Sequence, residues 1–330
     1  MIDNIELAQI SSNKLEIHYW LADNSHLMDA NVENKCNYEV LGIIKEVAKN
    51  LSIEVIIETE PLGEGGLRKW LRITAKEEDK KGTITSAIII AIVTTLLVSP
   101  IGKFSETVIE KMFEDTELQD LQKEKLRLEI QKLKQETSFN AENLENDIAI
   151  KKKKSNFYES LDKYPKVDKV SFAIVDDRKE EIVKSRAVLK SEFGEFILAT
   201  DDLEPLEVED AVIEIIAPVL KKGNYKWIGF YQGGAIAFNM KSNEFKTLVQ
   251  SGNVEFKNGS SINCHLQIKR KIDNEGRILN VGYDVTRVNE YFENENPIET
   301  KEGKHHRQLK EAKKKQLKLF GHTSDDNSSE

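Results

Sequence analysis

The sequence predicts an α+β protein of several domains, and three features of the chain carry that prediction. Its 330 residues suffice for two ordinary domains. Twenty consecutive residues from Thr83 to Gly102 carry no charge, although 32% of the chain is Asp, Glu, Lys or Arg. Apolar and polar residues alternate in strand-like runs before this segment and again from Lys166 onward, and the stretch between is helix-like.

These features divide the chain into five regions. We expect, in order, a small α/β domain at 1–80, a transmembrane helix at 83–102, a helical coiled-coil linker at 104–162, a β-rich domain at 165–295 with an antiparallel barrel at 205–292, and a largely mobile tail at 296–330 that is basic and then acidic.

Composition narrows the class of protein. A net charge of -9 argues against a general polyanion binder, which needs a surplus of Lys and Arg. The two cysteines, Cys36 and Cys264, lie far apart and lack the spacing of metal ligands, which indicates a reducing compartment. The first residues have neither the basic start nor the apolar core of a secretory signal, so the N-terminal domain is predicted to be cytoplasmic. Neither a metal nor a cofactor is expected.

The first domain is predicted from strand-like and helix-like patterns. Lys14–Leu21 has the composition of a strand, and two further strands are expected on either side of the turn at 61–66. Between the first two strands, apolar residues step by three and four, which places them on one face of a helix. These residues are Val32, Cys36, Val40, Ile43, Val47 and Leu51.

The uncharged segment has the length of a bilayer crossing. Twenty residues span about 30 Å as a helix, and its ten Ile, Val and Leu residues favour insertion by about 3 to 6 kcal/mol. The alternative is a fully buried helix or strand in the first domain, which is predicted to be too small to enclose it. We therefore expect a single-pass protein of the cell membrane with a cytoplasmic N-terminal domain, since the basic residues cluster before the segment.

Hydroxyl side chains in this segment favour close contact between membrane helices. They predict a homo-oligomer whose helices pack through Thr83, Ser86, Thr94 and Ser99. A long stretch without Gly or Pro, Phe104–Glu136, has the partial heptad spacing of a coiled coil and supports the same assembly. A second helix, about Ala141 to Leu161, carries four consecutive lysines that are expected to be a solvated face.

The C-terminal domain shows three strands, a helix and two more strands. The stretch from Ala211 to Val288, "KWIGFYQGGAIAFNM…EFKTLV…FKNGSSINCHL", resembles the OB-fold barrels in its order of elements. The fourth strand alternates cleanly, with Ile262, Cys264, Leu266 and Ile268 on one face. The resemblance implies a ligand groove across the second and third strands.

Four residues are candidates for that groove. If Ile228 and Phe230 point inward, Trp227 and Tyr231 point outward on the ligand face, where exposed aromatic rings beside cations suit base stacking. The candidate binding residues are Lys226, Trp227, Tyr231 and Lys269. A nucleotide, a short oligonucleotide, a peptide or another subunit would fit such a face; the alternative is that both aromatic residues belong to the core or to a protein contact.

These observations predict a non-enzymatic, membrane-anchored oligomer that senses a ligand or partner and transmits binding to its membrane helices. The layout resembles bacterial membrane effectors that respond to phage infection, which implies a role in antiviral defence. A structural scaffolding protein is the first alternative. An enzyme or binding protein with a buried apolar helix is the second, although no paired carboxylates, triad, metal cluster or phosphate loop is found in the sequence.

Overall fold

The computed structural model describes residues 14–23, 27–60, 67–76, 86–114, 128, 131, 140–221, 223–293 and 296–320. The chain forms two compact units. Unit 1 comprises Met1–Asp201 together with Ile272–Arg277, and unit 2 comprises Asp202–Lys271 together with Ile278–Glu330.

Unit 1 is built on an antiparallel sheet of five strands in the order β2-β3-β1-β4-β5. The strands are β1 (Lys14–Leu21), β2 (Val55–Thr59), β3 (Leu67–Ala75), β4 (Val167–Val175) and β5 (Glu181–Leu189). Alternate residues of the central strand β1, such as Leu15, Ile17 and Tyr19, belong to one hydrophobic core that also contains the helices. The core therefore lies on one face of this sheet.

The helices of unit 1 are α1 (Ala30–Asn50), α2 (Ser86–Val98), α3 (Glu106–Glu114), α4 (Ala141–Asn146) and α5 (Ile148–Asp162), followed by a 3-10 helix at Lys190–Phe196. Helix α1 begins where Asp29 accepts hydrogen bonds from the backbone N–H groups of Asn31 and Val32, at 2.8 and 3.2 Å. Its predicted apolar face is confirmed, because Cys36, Val40 and the residues spaced three and four further on are buried.

The uncharged segment is a core helix of unit 1. Helix α2 has 13 residues, or about 20 Å of length, and the described side chains from Ile88 to Leu97 are all buried. It packs against α1, α3 and strands β1, β3, β4 and β5. In the described part of the chain, no helix combines the length and the apolar character that a membrane crossing needs.

The prediction of a transmembrane helix is therefore wrong, and with it the single-pass localisation and the membrane part of the predicted fold class. The physical reason is that α2 is enclosed by more chain than the N-terminal strands alone. Residues from Ala141 onward contribute α5, β4 and β5 to the same core, so the apolar surface of α2 is buried by protein.

Two hydroxyl residues of the segment have hydrogen-bond partners within the helix. Thr94 is buried and donates a hydrogen bond to the carbonyl of Ile90 at 2.7 Å, and Thr95 donates to the carbonyl of Ala91 at the same distance. Ser99 is buried just after the helix, Ser86 is its first residue, and Thr83 lies outside the described residues. The membrane-packing role predicted for these residues depended on a spanning helix and is withdrawn with it.

The helical region after α2 is only partly described. Most of the stretch with coiled-coil spacing, Phe104–Glu136, falls on residues 115–139, of which the structure describes 128 and 131 alone. The single helix expected at about 141–161 is two helices, because Asp147 ends α4 and caps α5 by accepting from the N–H of Ile150 at 3.0 Å. The lysine run of α5 is not a solvated face, since Lys152, Lys153 and Lys154 are buried.

Unit 2 is a closed barrel of five strands with one further strand at its edge. The elements are β6 (Asp202–Ala217), β7 (Trp227–Tyr231), β8 (Gly234–Met240), α6 (Asn243–Gln250), β9 (Ser261–Ile272), β10 (Ile278–Glu293), β11 (Asn296–Glu299) and α7 (Lys301–Phe320). The strand order β11-β10-β8-β7-β6-β9 closes through pairing of β10 with β9.

This barrel is compatible with the OB-like barrel that the sequence predicted. The helix lies between the third and fourth strands, and the third and fifth strands, β8 and β10, pair in parallel with Phe238 opposite Tyr283. The predicted inner face of β9 is confirmed, because Ile262, Cys264 and Leu266 are fully buried while their neighbours are half-buried.

Candidate functional site

Strand β7 places the predicted ligand residues differently from the sequence-based expectation. Trp227 is 2% exposed, and its ring lies 6.2, 6.1 and 5.9 Å from the rings of Phe238, Phe245 and Phe256. Ile228 and Phe230 point to the outside and are 42% and 45% exposed. The inner and outer sides of β7 are thus exchanged, because the large indole fills the barrel core.

Gly229 explains why Trp227, rather than Ile228 and Phe230, faces the barrel core. A Cβ atom at this inward position would lie 2.6 Å from the backbone oxygen of Glu214 and 2.6 Å from a side-chain carbon of Ile213. Strands β6 and β7 approach closely at this point, and only a residue without a side chain fits between them. Packing therefore allows Gly229 to face inward and places Ile228 and Phe230 on the outside of the barrel.

The other three predicted residues do not form one site with Trp227. Lys226 is exposed just before β7, and Tyr231 is half-buried against the barrel core. Lys269 lies on β9, where its ammonium group is 3.0 Å from a carboxylate oxygen of Asp284. The four predicted residues therefore lie in different surroundings and do not line one binding groove.

The ion pair of Lys269 belongs to a polar cluster that joins β9, the end of β8 and β10. Asp284 is fully buried and also contacts Lys241 at 2.8 Å, while Asn239 donates to it at 2.6 Å. Burial alone raises the pKa of the Asp284 carboxyl, but the hydrogen bonds from Asn239, Lys241 and Lys269 outweigh that effect and lower the pKa to about 2. The cluster thus holds a charged carboxylate in place.

A second polar cluster surrounds Glu209 on β6. Its carboxylate lies 2.7 Å from Arg287, 3.6 Å from His265 and 3.7 Å from His306. Burial raises the pKa of Glu209, yet the hydrogen bond from Arg287 and the nearby imidazoles lower it overall. No group of three or more His, Cys, Asp or Glu side chains among the described residues is arranged to hold a metal ion.

The outside of β6, β7 and β8 carries a mainly apolar surface, interrupted by the exposed Glu214, which we call the barrel face. It consists of the exposed residues Val212, Ile216, Ile228, Phe230, Ala235 and Ala237. Phe230 pairs with Ala235 on β8 and with Glu214 on β6, and Ile228 pairs with Ala237 and Ala217. Alanines therefore flank Ile228 on both neighbouring strands, whereas Phe230 has an alanine on the β8 side and the charged Glu214 on the β6 side.

A groove of about 740 Å³ opens beside the barrel face. Most of its lining is apolar, and its two charged side chains have opposite signs. The lining residues are Glu214, Ile215, Ile216, Pro218, Leu220, Phe230, Val254, Phe256, Lys257 and Asn258. Leu220 is 64% exposed at the rim, so the groove continues the apolar surface.

The two cysteines are structural in character. Burial raises the pKa of the Cys36 thiol and of the Cys264 thiol to about 12 in each case. Both thiols therefore stay protonated near neutral pH, where a nucleophilic cysteine would need to be a thiolate.

Comparison of this chain with protein-family models, with curated proteins and with solved structures gave no match to any of them. The site is thus defined by its own geometry. Sequence reasoning missed Ile228 and Phe230 as the exposed residues of β7. One signal could have found them, because a tryptophan at the start of a short strand is more often a core residue than a solvent-facing one.

Proposed function

We propose that this chain is a non-enzymatic binding protein whose barrel docks a protein partner through the barrel face and the adjoining groove. One observation carries the proposal: Ile228 and Phe230 are both exposed on β7, in a mainly apolar surface that spans three strands. Exposed apolar patches of this kind are typical of contacts with other proteins. OB-fold barrels bind ligands across their second and third strands, which are β7 and β8 in this barrel. The position of the barrel face therefore agrees with an OB fold.

The chemistry of the surface favours protein over nucleotide. Base stacking was expected at Trp227, which is buried, and Lys269, one of the cations expected beside the stacked base, is paired with Asp284. The groove itself is lined by Glu214 and Lys257, whose charges cancel, and otherwise mainly by aliphatic and phenyl side chains. Apolar side chains of a partner segment match such a lining, and a polyphosphate does not.

The membrane-anchored form of the earlier hypothesis is not part of this proposal, because the spanning helix on which it depended is a core helix. Resemblance to phage-defence effectors depended on the same helix, and no family or relative supports it. Binding of a partner to the barrel remains as the proposed function.

Photocrosslinking in cells that encode the protein tests the proposal. A benzoylphenylalanine at position 228 of the full chain should give a light-dependent protein adduct, which the additional change Phe230→Asp should abolish. The same crosslinker at Tyr38, an aromatic residue of unit 1 with 59% exposure, is the matched control and should give no such adduct.

Three results would contradict the proposal: no adduct at position 228, the same adducts at both positions, or an adduct that nuclease removes. An adduct of twice the 37.7 kDa mass of the chain would identify a second copy as the partner, which is the homo-oligomer that the sequence predicted.

A further inference from the structure

Helix α7 is attached to the barrel by a dense set of contacts at its first turn. The carboxylate of Glu244 in α6 accepts hydrogen bonds from the backbone N–H groups of Lys301 and Glu302, at 2.8 and 3.0 Å. Glu302 in turn accepts from the N–H of Val288 at 3.0 Å. Carboxylates at a helix N-terminus satisfy its free N–H groups and suit its positive end.

Two further contacts fix the direction of the helix. Gly303 is buried so closely against the backbone of Asn289 that a side chain at this position would overlap its carbonyl group. Arg307 forms a bidentate pair with Glu299, at 2.8 and 3.1 Å. The first two turns of α7 are thus held from several sides.

Beyond Arg307 the helix leaves the barrel. All described side chains from Gln308 to Gln316 are exposed. An isolated helix of this length is only marginally stable in water, so the anchored first turns are what nucleate it. The result is a projecting arm of about 20 Å with a defined direction.

The arm concentrates positive charge in an acidic protein. Helix α7 contains eight Lys or Arg residues against two Glu, whereas the rest of the chain contains 40 Lys or Arg against 55 Asp or Glu. Within the described part of the chain, Lys310, Lys313, Lys314 and Lys315 form no ion pair with a carboxylate. The chain is therefore acidic overall, which argues against a general polyanion binder, but it contains one strongly basic helix, α7.

We propose that the exposed lysines of α7 bind the sugar-phosphate backbone of a nucleic acid. Lysine is depleted in protein interfaces, because its strongly hydrated ammonium group is costly to bury, whereas phosphate contacts are made mainly by Lys and Arg. Leu309 and Ala312 are the apolar residues among the described side chains of the arm, and the vesicle measurement below tests adsorption to lipid directly. We expect this binding to be independent of base sequence, because phosphate contacts carry no sequence information.

The size of the arm sets the expected strength of binding. Twenty ångström correspond to about six phosphates of one strand at 3.4 Å each. If the four unpaired lysines each neutralise one phosphate, the affinity for duplex DNA should fall about 100-fold between 50 and 200 mM salt.

Fluorescence anisotropy of the full chain with a labelled duplex DNA and with a labelled single-stranded RNA of equal length tests this proposal. The variant Lys313→Glu, Lys314→Glu, Lys315→Glu should bind the preferred nucleic acid at least about tenfold more weakly than the native chain and with a clearly smaller salt dependence. The matched control changes the exposed residues Lys35, Lys45 and Lys49 of α1 to Glu, which alters net charge equally and should leave binding within about twofold.

Equal affinity of the α7 variant and the native chain, or no binding of either nucleic acid at 50 mM salt, would overturn the proposal. Tighter binding to polyglutamate would assign the arm to an acidic protein instead, and tighter binding to phosphatidylglycerol vesicles would assign it to a membrane surface. The change Phe230→Asp on the barrel face should leave nucleic acid binding unchanged, so this inference and the proposed function can fail separately.

Discussion

The ammonium group of Lys154 lies 3.0 Å from the carbonyl oxygen of Ser99, immediately after the C-terminal end of the apolar helix α2. Lys154 is 1% exposed, and the hydroxyl of Tyr158, one turn further along α5, donates to the carbonyl of Leu97 at 2.5 Å. The end of a buried helix leaves carbonyl groups without helical partners, and its dipole places negative charge there. Two side chains of α5 therefore supply hydrogen-bond donors to the carbonyl groups at the buried C-terminal end of α2.

The stability of unit 1 should depend on the protonation of Lys154. Burial lowers the pKa of its ammonium group from 10.5 to about 8, although Glu145 acts in the opposite direction. Between these two values the unfolded chain binds more protons than the folded one, so a rise in pH stabilises the fold by roughly 3 kcal/mol through this group. The stabilisation is absent below about pH 8 and complete above the unfolded pKa.

Urea unfolding at pH 7 to 10, compared between the native lysine and Lys154→Met, measures this term. A Trp227→Phe background leaves Trp20 and Trp70 as the fluorescent reporters, both in unit 1. The unfolding free energy of the lysine form should rise relative to that of the Met form as the pH increases. A constant difference across this range would show that the amine stays charged in the folded state.

Loss of the Tyr158 hydroxyl should destabilise unit 1 without changing the shape of its core. Tyr158→Phe leaves the carbonyl of Leu97 buried without its donor, which costs about 1 to 3 kcal/mol of unfolding free energy. Tyr38→Phe on the exposed side of α1 is the control and should change stability by less than about 0.5 kcal/mol. If both variants changed the unfolding free energy by similarly small amounts in chemical unfolding, the hydrogen bond from Tyr158 to a buried Leu97 carbonyl would be contradicted.

Truncation inside α2 tests whether the uncharged segment is a core element. Ile90 is fully buried, so Ile90→Ala should lower the unfolding free energy in detergent-free buffer by about 2 to 5 kcal/mol. Leu27→Ala, at a position that is 77% exposed, supplies the comparison and should have almost no effect. If Ile90→Ala left the unfolding midpoint unchanged, α2 would not be packed as the structure shows.

A side chain at Gly229 should strain the barrel. Gly229→Ala would place a methyl group 2.6 Å from the backbone oxygen of Glu214, and overpacking of this kind costs about 1 to 3 kcal/mol. Gly234→Ala is the matched control on the neighbouring strand, where the nearest atom to an added Cβ is 3.7 Å away. Thermal unfolding followed by circular dichroism should separate the two variants, and equal midpoints would argue against the close approach of β6 and β7.

Some elements could be predicted from the sequence because one side of each is clearly apolar. The apolar positions of α1 and of β9 recur at the period of a helix and of a strand, and residues such as Val40 and Leu266 are buried as expected. In β7 both sides are apolar, with Trp227 on one and Ile228 and Phe230 on the other, so alternation alone could not decide which side faces the core. The close packing at Gly229 decided it, and that contact joins two strands.

By itself the sequence determined that the apolar side chains within residues 83–102 favour leaving water, because their transfer free energy depends only on their own chemistry. Where they go was decided by the tertiary structure, since a protein core and a bilayer both accept apolar surface and the sequence pattern is the same for either. Strands β4 and β5, some seventy residues further along the chain, pack together with α5 around α2 and provide that core. Such long-range packing has no signature in the segment it buries.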